Sequence, residues 1–148
     1  MYQNPKKELT INFSIDKVRE AVLKLQKKDC VLIKDDKTLN EITLHDKDAL
    51  GTGYIFSFIM VVKEDEITNL TIEVSKNLTG SISTAQEQTI GTNKLKRISQ
   101  EFSAYLSGDV DEKTGKPNVP KQGCMVTTLL MVGSIGVGGY SLLSYLLS

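Results

Sequence analysis

The last 24 residues of the chain, positions 125–148, contain no charged side chain. An α-helix rises about 1.5 Å per residue, so a helix of this length reaches across the roughly 30 Å of a bilayer's apolar core. We therefore predict one transmembrane helix over residues 123–148, with membrane lipid as its first partner. A buried helix of a globular fold is the alternative, because glycine weakens a helix in water by up to about 1 kcal/mol per residue. Glycine is common in membrane spans, which favours the span.

Charged residues all precede this segment, and 18 Lys and Arg balance 18 Asp and Glu. The balance leaves no basic excess for phosphates, so nucleic-acid binding is not expected. Lys113, Lys116 and Lys121 precede the predicted span, and the positive-inside rule then places the domain before it in the cytoplasm. The N-terminus lacks the apolar stretch of a signal peptide. The expected location is a membrane, with a single C-terminal anchor and a cytoplasmic soluble domain.

Small residues in the predicted span could form surfaces on which membrane helices pack closely. Ser134 and Gly138 are four residues apart, and Gly136 and Gly139 form a second small surface. These positions predict packing against a membrane protein partner or a second copy of the chain, whereas a lone anchor with tolerated glycines is the alternative. The candidate packing residues are Gly133, Ser134, Gly136, Gly138 and Gly139.

Composition divides the chain into three parts. Residues 1–106 have the length and apolar content of one soluble domain with a single core. Residues 107–122 are rich in Gly, Pro and charge, which predicts a linker. If extended, these 16 residues reach up to about 50 Å. Residues 123–148 form the predicted transmembrane helix.

Apolar periodicity predicts the elements of the soluble domain. Residues 9–13 alternate between apolar and polar, as in a half-buried strand, and Ser14 then caps an amphipathic helix with apolar spacings of three and four. Four short runs joined by turns follow, which indicates an antiparallel meander. These runs are residues 30–34, 39–45, 54–63 and 68–75. The third run is apolar on both faces, which predicts that both of its faces are covered.

A second, longer helix is predicted after Gly80. Ser83 and Thr84 are each followed three residues later by Gln or Glu, the pattern of a capping box. The helix carries one apolar stripe. The side chains off this stripe are Lys94, Lys96, Arg97 and Glu101. The three basic ones are expected on the solvated face of the helix, and contact with anionic lipid head groups is the alternative.

The predicted fold class is α+β, in the order β-α-β-β-β-β-α, with an antiparallel sheet of about five strands packed on a long C-terminal helix. The stretches LTINFSIDKVREAVLKL and RISQEFSAYLSG carry a resemblance to the START-like, or helix-grip, superfamily of hydrophobic-ligand-binding domains. The resemblance is topological and covers most of residues 7–107. It implies a sheet that grips the last helix around an apolar ligand. This chain has five predicted strands where that superfamily has seven. If side chains fill the interior of this smaller domain, it would serve as a binding platform instead of enclosing a ligand.

Residues suited to catalysis are scarce. His45 is the only histidine, and neither a second histidine nor a cysteine pair lies at the spacing of metal ligands. The acidic runs at residues 35–36 and 64–66 fall at predicted turns, where carboxylates are solvated. No phosphate-binding or nucleophile motif is present. We therefore predict no catalytic residue, no metal and no cofactor, and the protein is not expected to be an enzyme.

Aromatic and methionine side chains on the third run are the best candidates to line an apolar pocket, and packing within the core is the alternative. The candidate ligand-binding residues are Tyr54, Phe56, Phe58, Met60 and Phe102. Two functions fit. The preferred one is a non-enzymatic, membrane-anchored interaction module, such as an accessory or assembly subunit. The alternative is a membrane-tethered protein that binds lipid or another hydrophobic ligand.

Overall fold

The structure, a computed structural model, describes residues 2–48 and 52–119. The predicted span, with Gly133, Ser134, Gly136, Gly138 and Gly139, lies outside these residues. Within them, no helix has both the length and the apolar content needed to cross a membrane. The elements are β1 (Lys6–Ile11), α1 (Ile15–Leu23), β2 (Cys30–Asp36), β3 (Glu41–Asp46), β4 (Tyr54–Glu64), β5 (Ile67–Lys76) and α2 (Ala85–Ser107).

One antiparallel sheet contains all five strands, in the spatial order β1-β5-β4-β3-β2. Strands β2 to β5 form a meander, as predicted, and β1 pairs with β5 at the far edge. The predicted α+β class, the five-stranded antiparallel sheet and the long C-terminal helix of the domain are therefore confirmed.

The register of the central strand determines the core. Phe58 on β4 lies opposite Ile42 on β3 and Ile72 on β5, and all three side chains are fully buried. Both helices pack on this side of the sheet and contact each other. Phe102 of α2 is fully buried in the same cluster. Burying a side chain of this kind stabilises a fold by about 1.5–3 kcal/mol, so this shared cluster holds the sheet and the helices together.

The ends of the helices follow their local sequence. Thr84 caps α2 through a complete capping box with Glu87, as predicted, and Gly108 ends the helix in the left-handed conformation at φ 76°. Ser14 occupies the cap position of α1, but its side chain makes no capping hydrogen bond. The helix begins where predicted, although that bond is absent.

The first part of the predicted linker is a closed loop. The backbone N–H of Asn118 donates to the carbonyl of Asp109, and its side-chain amide donates to the Asp109 carboxylate at 2.8 Å. Within the loop, the Asp111 carboxylate accepts from the backbone N–H groups of Lys113 and Thr114. The chain therefore returns at residue 118 to the place that it left at residue 109.

The backbone conformation of Gly53, in the loop before β4, can be tested by substitution. Its φ is 102°, and an added Cβ would collide with the backbone oxygen of Asp46. Gly80 has a similar φ of 70°, with nothing within 4 Å of an added Cβ. We expect Gly53→Ala to lower the free energy of unfolding by about 3 kcal/mol or more, and Gly80→Ala by about 1 kcal/mol. Urea unfolding of the full chain in mild detergent measures both, and equal losses would contradict the expectation.

Candidate functional site

The five predicted ligand-binding residues lie in one buried cluster. Tyr54, Phe56, Phe58 and Met60 alternate along the core side of β4, and Phe102 reaches the same cluster from α2. All five are 5% exposed or less. Phe56 alone among them also lines the cavity described next. The structure thus brings the five residues together as packed core, with a single member at a cavity wall.

A cavity of about 510 Å³ lies between α2 and the ends of β2 and β3. Its apolar wall consists of Cys30, Phe56 and Ile98. The remaining lining residues are charged. The basic ones are Lys27, Lys47, Lys94 and Arg97, and the acidic ones are Asp29, Asp46, Asp48 and Glu101. The cavity therefore combines a small apolar wall with equal numbers of positive and negative side chains.

Helix α2 supplies one side of the cavity through a single stripe. Lys94, Ile98 and Glu101 are spaced by four and three residues, which places them along one face of the helix. Arg97 lies beside them. The opposite side comes from the segment that enters β2, with Lys27 and Cys30, and from the end of β3.

Glu101 holds two cations at once. Lys27 Nζ lies 2.8 Å from Glu101 Oε2 and 3.0 Å from Oε1, and Arg97 Nε donates to Oε1 at 3.1 Å. The Glu101 side chain is only 9% exposed. Glu101 lies off the apolar stripe of the sequence, and the fold nevertheless buries it. Burying a carboxylate costs free energy unless it is paired, and Lys27 and Arg97 pair with Glu101.

A second ion pair crosses the cavity from α2 to the sheet. Lys94 Nζ lies 2.5 Å from Asp46 Oδ2 at the end of β3. The same ammonium lies 5.2 Å from the centre of the Tyr54 ring. Lys94 was expected on the solvated face of the helix or against lipid head groups, whereas it joins the helix to the sheet.

Cys30 lines the same cavity, near the Lys27–Glu101 and Lys94–Asp46 ion pairs. Its thiol is buried and not part of a disulfide. Burial raises the pKa of the Cys30 thiol from its ordinary 9.0 to about 11, and the negative charges of Asp46 and Glu101 act in the same direction, against Lys27 and Lys94. The thiol is therefore protonated at neutral pH and contributes apolar surface to the cavity.

His45 and Asp36, which were considered for chemistry, make structural hydrogen bonds. His45 Nε2 lies 2.6 Å from the carbonyl oxygen of Thr52, which ties the loop before β4 to the sheet. The backbone N–H groups of Leu39 and Thr38 donate to Asp36 and hold the pKa of its carboxyl below the ordinary value. No group of three or more metal-ligating side chains is found among residues 2–48 and 52–119.

The outer face of the sheet is the second notable surface. Ile55, Ile59 and Val61 alternate with the core residues along β4 and lie on the side away from both helices. Ile59 is 40% exposed and Val61 is 58% exposed. The sequence predicts cover on both faces of this strand, and the two helices provide it on one face only.

The buried state of Cys30 can be tested by alkylation in a chain that carries Cys124→Ser, which removes the second cysteine of the sequence. At about pH 8, the raised pKa leaves roughly a hundredfold less thiolate on Cys30 than on an ordinary thiol. We expect iodoacetamide to modify the folded chain at least about a hundred times more slowly than the urea-unfolded chain. The burial of the neutral thiol also predicts that stability is retained below about pH 9 and falls as the pH rises through about 11. Equal rates in the two states would contradict this arrangement.

Comparison with known proteins gives no assignment. Neither a protein-family model nor a curated protein sequence matches the chain. The antiparallel sheet and the long helix agree with the coarse architecture that the sequence predicts, and membership of the START-like superfamily stays a prediction.

Proposed function

We propose that this protein is a non-enzymatic interaction module, held at a membrane by its C-terminal segment, and that it acts as an accessory or assembly subunit. In this proposal, the domain lies on the cytoplasmic side and binds a protein partner at the same membrane. The observation that carries the proposal is the outer face of the sheet, where Ile59 and Val61 are exposed away from both helices.

The layout of this face fits a protein surface with an apolar ridge. The exposed apolar stripe of β4 runs through the middle of the sheet, and ion pairs lie on either side of it. Lys6 pairs with Glu8 on β1, and Lys34 pairs with Glu41 across β2 and β3. An apolar centre with a polar rim is the usual arrangement of a protein interface.

The edges of the sheet are less suited to partner binding. The edge strand β2 carries an irregularity between Leu32 and Lys34, followed by charged residues, and β1 begins with Lys6 and Lys7. Bulges and charges of this kind hinder the addition of another strand. The partner is therefore expected on the face of the sheet.

The C-terminal segment supplies a further contact in this proposal. The small residues Ser134 and Gly138 allow a second membrane helix to approach closely, either from a partner subunit or from another copy of the chain. Such a contact would keep the partner beside the domain. The two surfaces then act on the same assembly.

Binding of lipid or another hydrophobic ligand is the second candidate function. The cavity volume of about 510 Å³ favours it, because ligand sites measure roughly 300–1,000 Å³. The charged lining weighs against a wholly apolar ligand, since the ligand would strip water from charged groups without replacing their hydrogen bonds. The predicted pocket residues other than Phe56 are packed in the core.

Removal of the anchor tests the location. We expect the chain that lacks residues 123–148 to move from the membrane fraction to the soluble fraction, because the uncharged segment is then gone. Fractionation and immunoblotting of the two chains measure this. Membrane association that persists without the segment would contradict the anchor.

Substitutions on β4 test the partner-binding face. Val61→Lys places a charge within the exposed apolar stripe, and Val62→Lys is the matched control, because Val62 is 50% exposed and lies on the other side of the strand. We expect Val61→Lys to reduce the protein recovered with the full chain in mild detergent by about tenfold, with little effect of Val62→Lys. Quantitative mass spectrometry of the two pull-downs measures the difference.

Two results would contradict this use of the face. Equal recovery with both variants would show that the partner binds elsewhere. If Val61→Lys destabilises the full chain but not the chain without residues 123–148, the face is covered by the chain's own C-terminal segment.

A further inference from the structure

We propose that the cavity between α2 and the ends of β2 and β3 binds a small zwitterion: a molecule with an ammonium group, a carboxylate or phosphate group, and an apolar portion. This site lies on the helix side of the sheet, opposite the proposed partner-binding face. The inference therefore goes beyond the proposed function and does not depend on it.

The charged side chains that line the cavity favour a ligand that carries both charges. Four basic and four acidic side chains line the cavity, so its net charge is zero. For a ligand with a single negative charge, three of the four lining cations are already paired with Glu101 or Asp46, and those carboxylates would repel it. A zwitterion can place each of its charges beside the opposite one, which satisfies the lining as a whole.

Unused hydrogen-bonding groups provide the second argument. Arg97 contacts Glu101 through Nε, and its two terminal nitrogens have no partner within residues 2–48 and 52–119. Its side chain is 71% exposed at the mouth of the cavity. The planar end of arginine matches the two oxygens of a carboxylate or phosphate, so Arg97 is the expected partner of the ligand's anionic group.

Asp46 supplies the opposite charge. Lys94 contacts its Oδ2, whereas Oδ1 accepts no hydrogen bond from any residue that the structure describes. A ligand ammonium can bind Oδ1 without displacing Lys94. Both oxygens of Glu101 are already engaged by Lys27 and Arg97, so Asp46 is the better acceptor.

The apolar wall of the cavity would contact the apolar portion of the ligand. Cys30, Phe56 and Ile98 line the cavity, and Cys30 adds no charge because its thiol stays protonated. The volume of about 510 Å³ leaves room for a short apolar chain beside the two charged groups. A free amino acid with an aliphatic side chain and a phospholipid with an ethanolamine head group share this chemistry.

Titration calorimetry on the full chain in a non-ionic detergent tests the proposal with four probes. Leucine carries both charges, isocaproate carries the negative one, isoamylamine carries the positive one, and a short-chain phosphatidylethanolamine represents the lipid source. We expect leucine or the phosphatidylethanolamine to bind at least about tenfold more tightly than either singly charged probe. Tighter binding of leucine would indicate a free amino acid as the ligand, and tighter binding of the phosphatidylethanolamine would indicate a phospholipid. The proposal would be overturned if neither zwitterion binds, or if the singly charged probes bind as tightly as the zwitterions.

Variants link binding to the cavity. Arg97→Met should weaken the binding of the preferred zwitterion by about tenfold, because its anionic group loses a charged partner. Lys96→Met is the matched control on α2, since Lys96 does not line the cavity, and it should leave binding unchanged. Thermal unfolding of each variant verifies that it is folded.

A third variant separates a charge effect from a general loss of structure. Glu101→Gln gives the lining one net positive charge, so isocaproate should gain affinity relative to the zwitterion. A loss of structure alone would weaken the binding of isocaproate and of the zwitterion to the same extent. Such a parallel loss, or a loss with Lys96→Met equal to that with Arg97→Met, would overturn the assignment.

Discussion

Phe58 lies at the centre of the sheet, opposite Ile42 and Ile72, and shares its core with Phe102 of α2. Because successive side chains of a strand alternate between faces, the burial of Phe58 also fixes the sides on which its neighbours lie. A shift of one residue in β4 would bring Ile59 and Val61 into the core and expose the aromatic side chains. The cavity on one side and the apolar outer face on the other both depend on this register.

Local patterns were enough to predict most of the fold. Alternation revealed β1 and the meander, and Thr84 with Glu87 marked the start of α2, because these signals come from residues that are close in sequence. The missing cap bond at Ser14 shows the limit of such reasoning. A suitable residue at a suitable position does not determine the rotamer of its side chain.

The charged cavity could not be predicted from the same patterns. Lys27 and Glu101 are 74 residues apart, and Lys94 and Asp46 are 48 apart, so each ion pair exists only through the tertiary fold. On a helical wheel, Glu101 lies at the border between the apolar stripe and the polar face. The spacing of Lys94, Ile98 and Glu101 was the available signal, and it shows a shared helix face without showing what lies opposite.

The closed loop after α2 affects how far the domain could move from the proposed anchor. Because Asn118 bonds back to Asp109, the ten residues between and including them add almost no length to the connection. With the anchor proposed above, residues 119–122 remain as the spacer, which reaches at most about 14 Å when extended. On that proposal, a tether this short would confine the domain to a thin layer beside the bilayer and would raise its effective concentration for partners in the same membrane. The search for a partner then becomes a two-dimensional one.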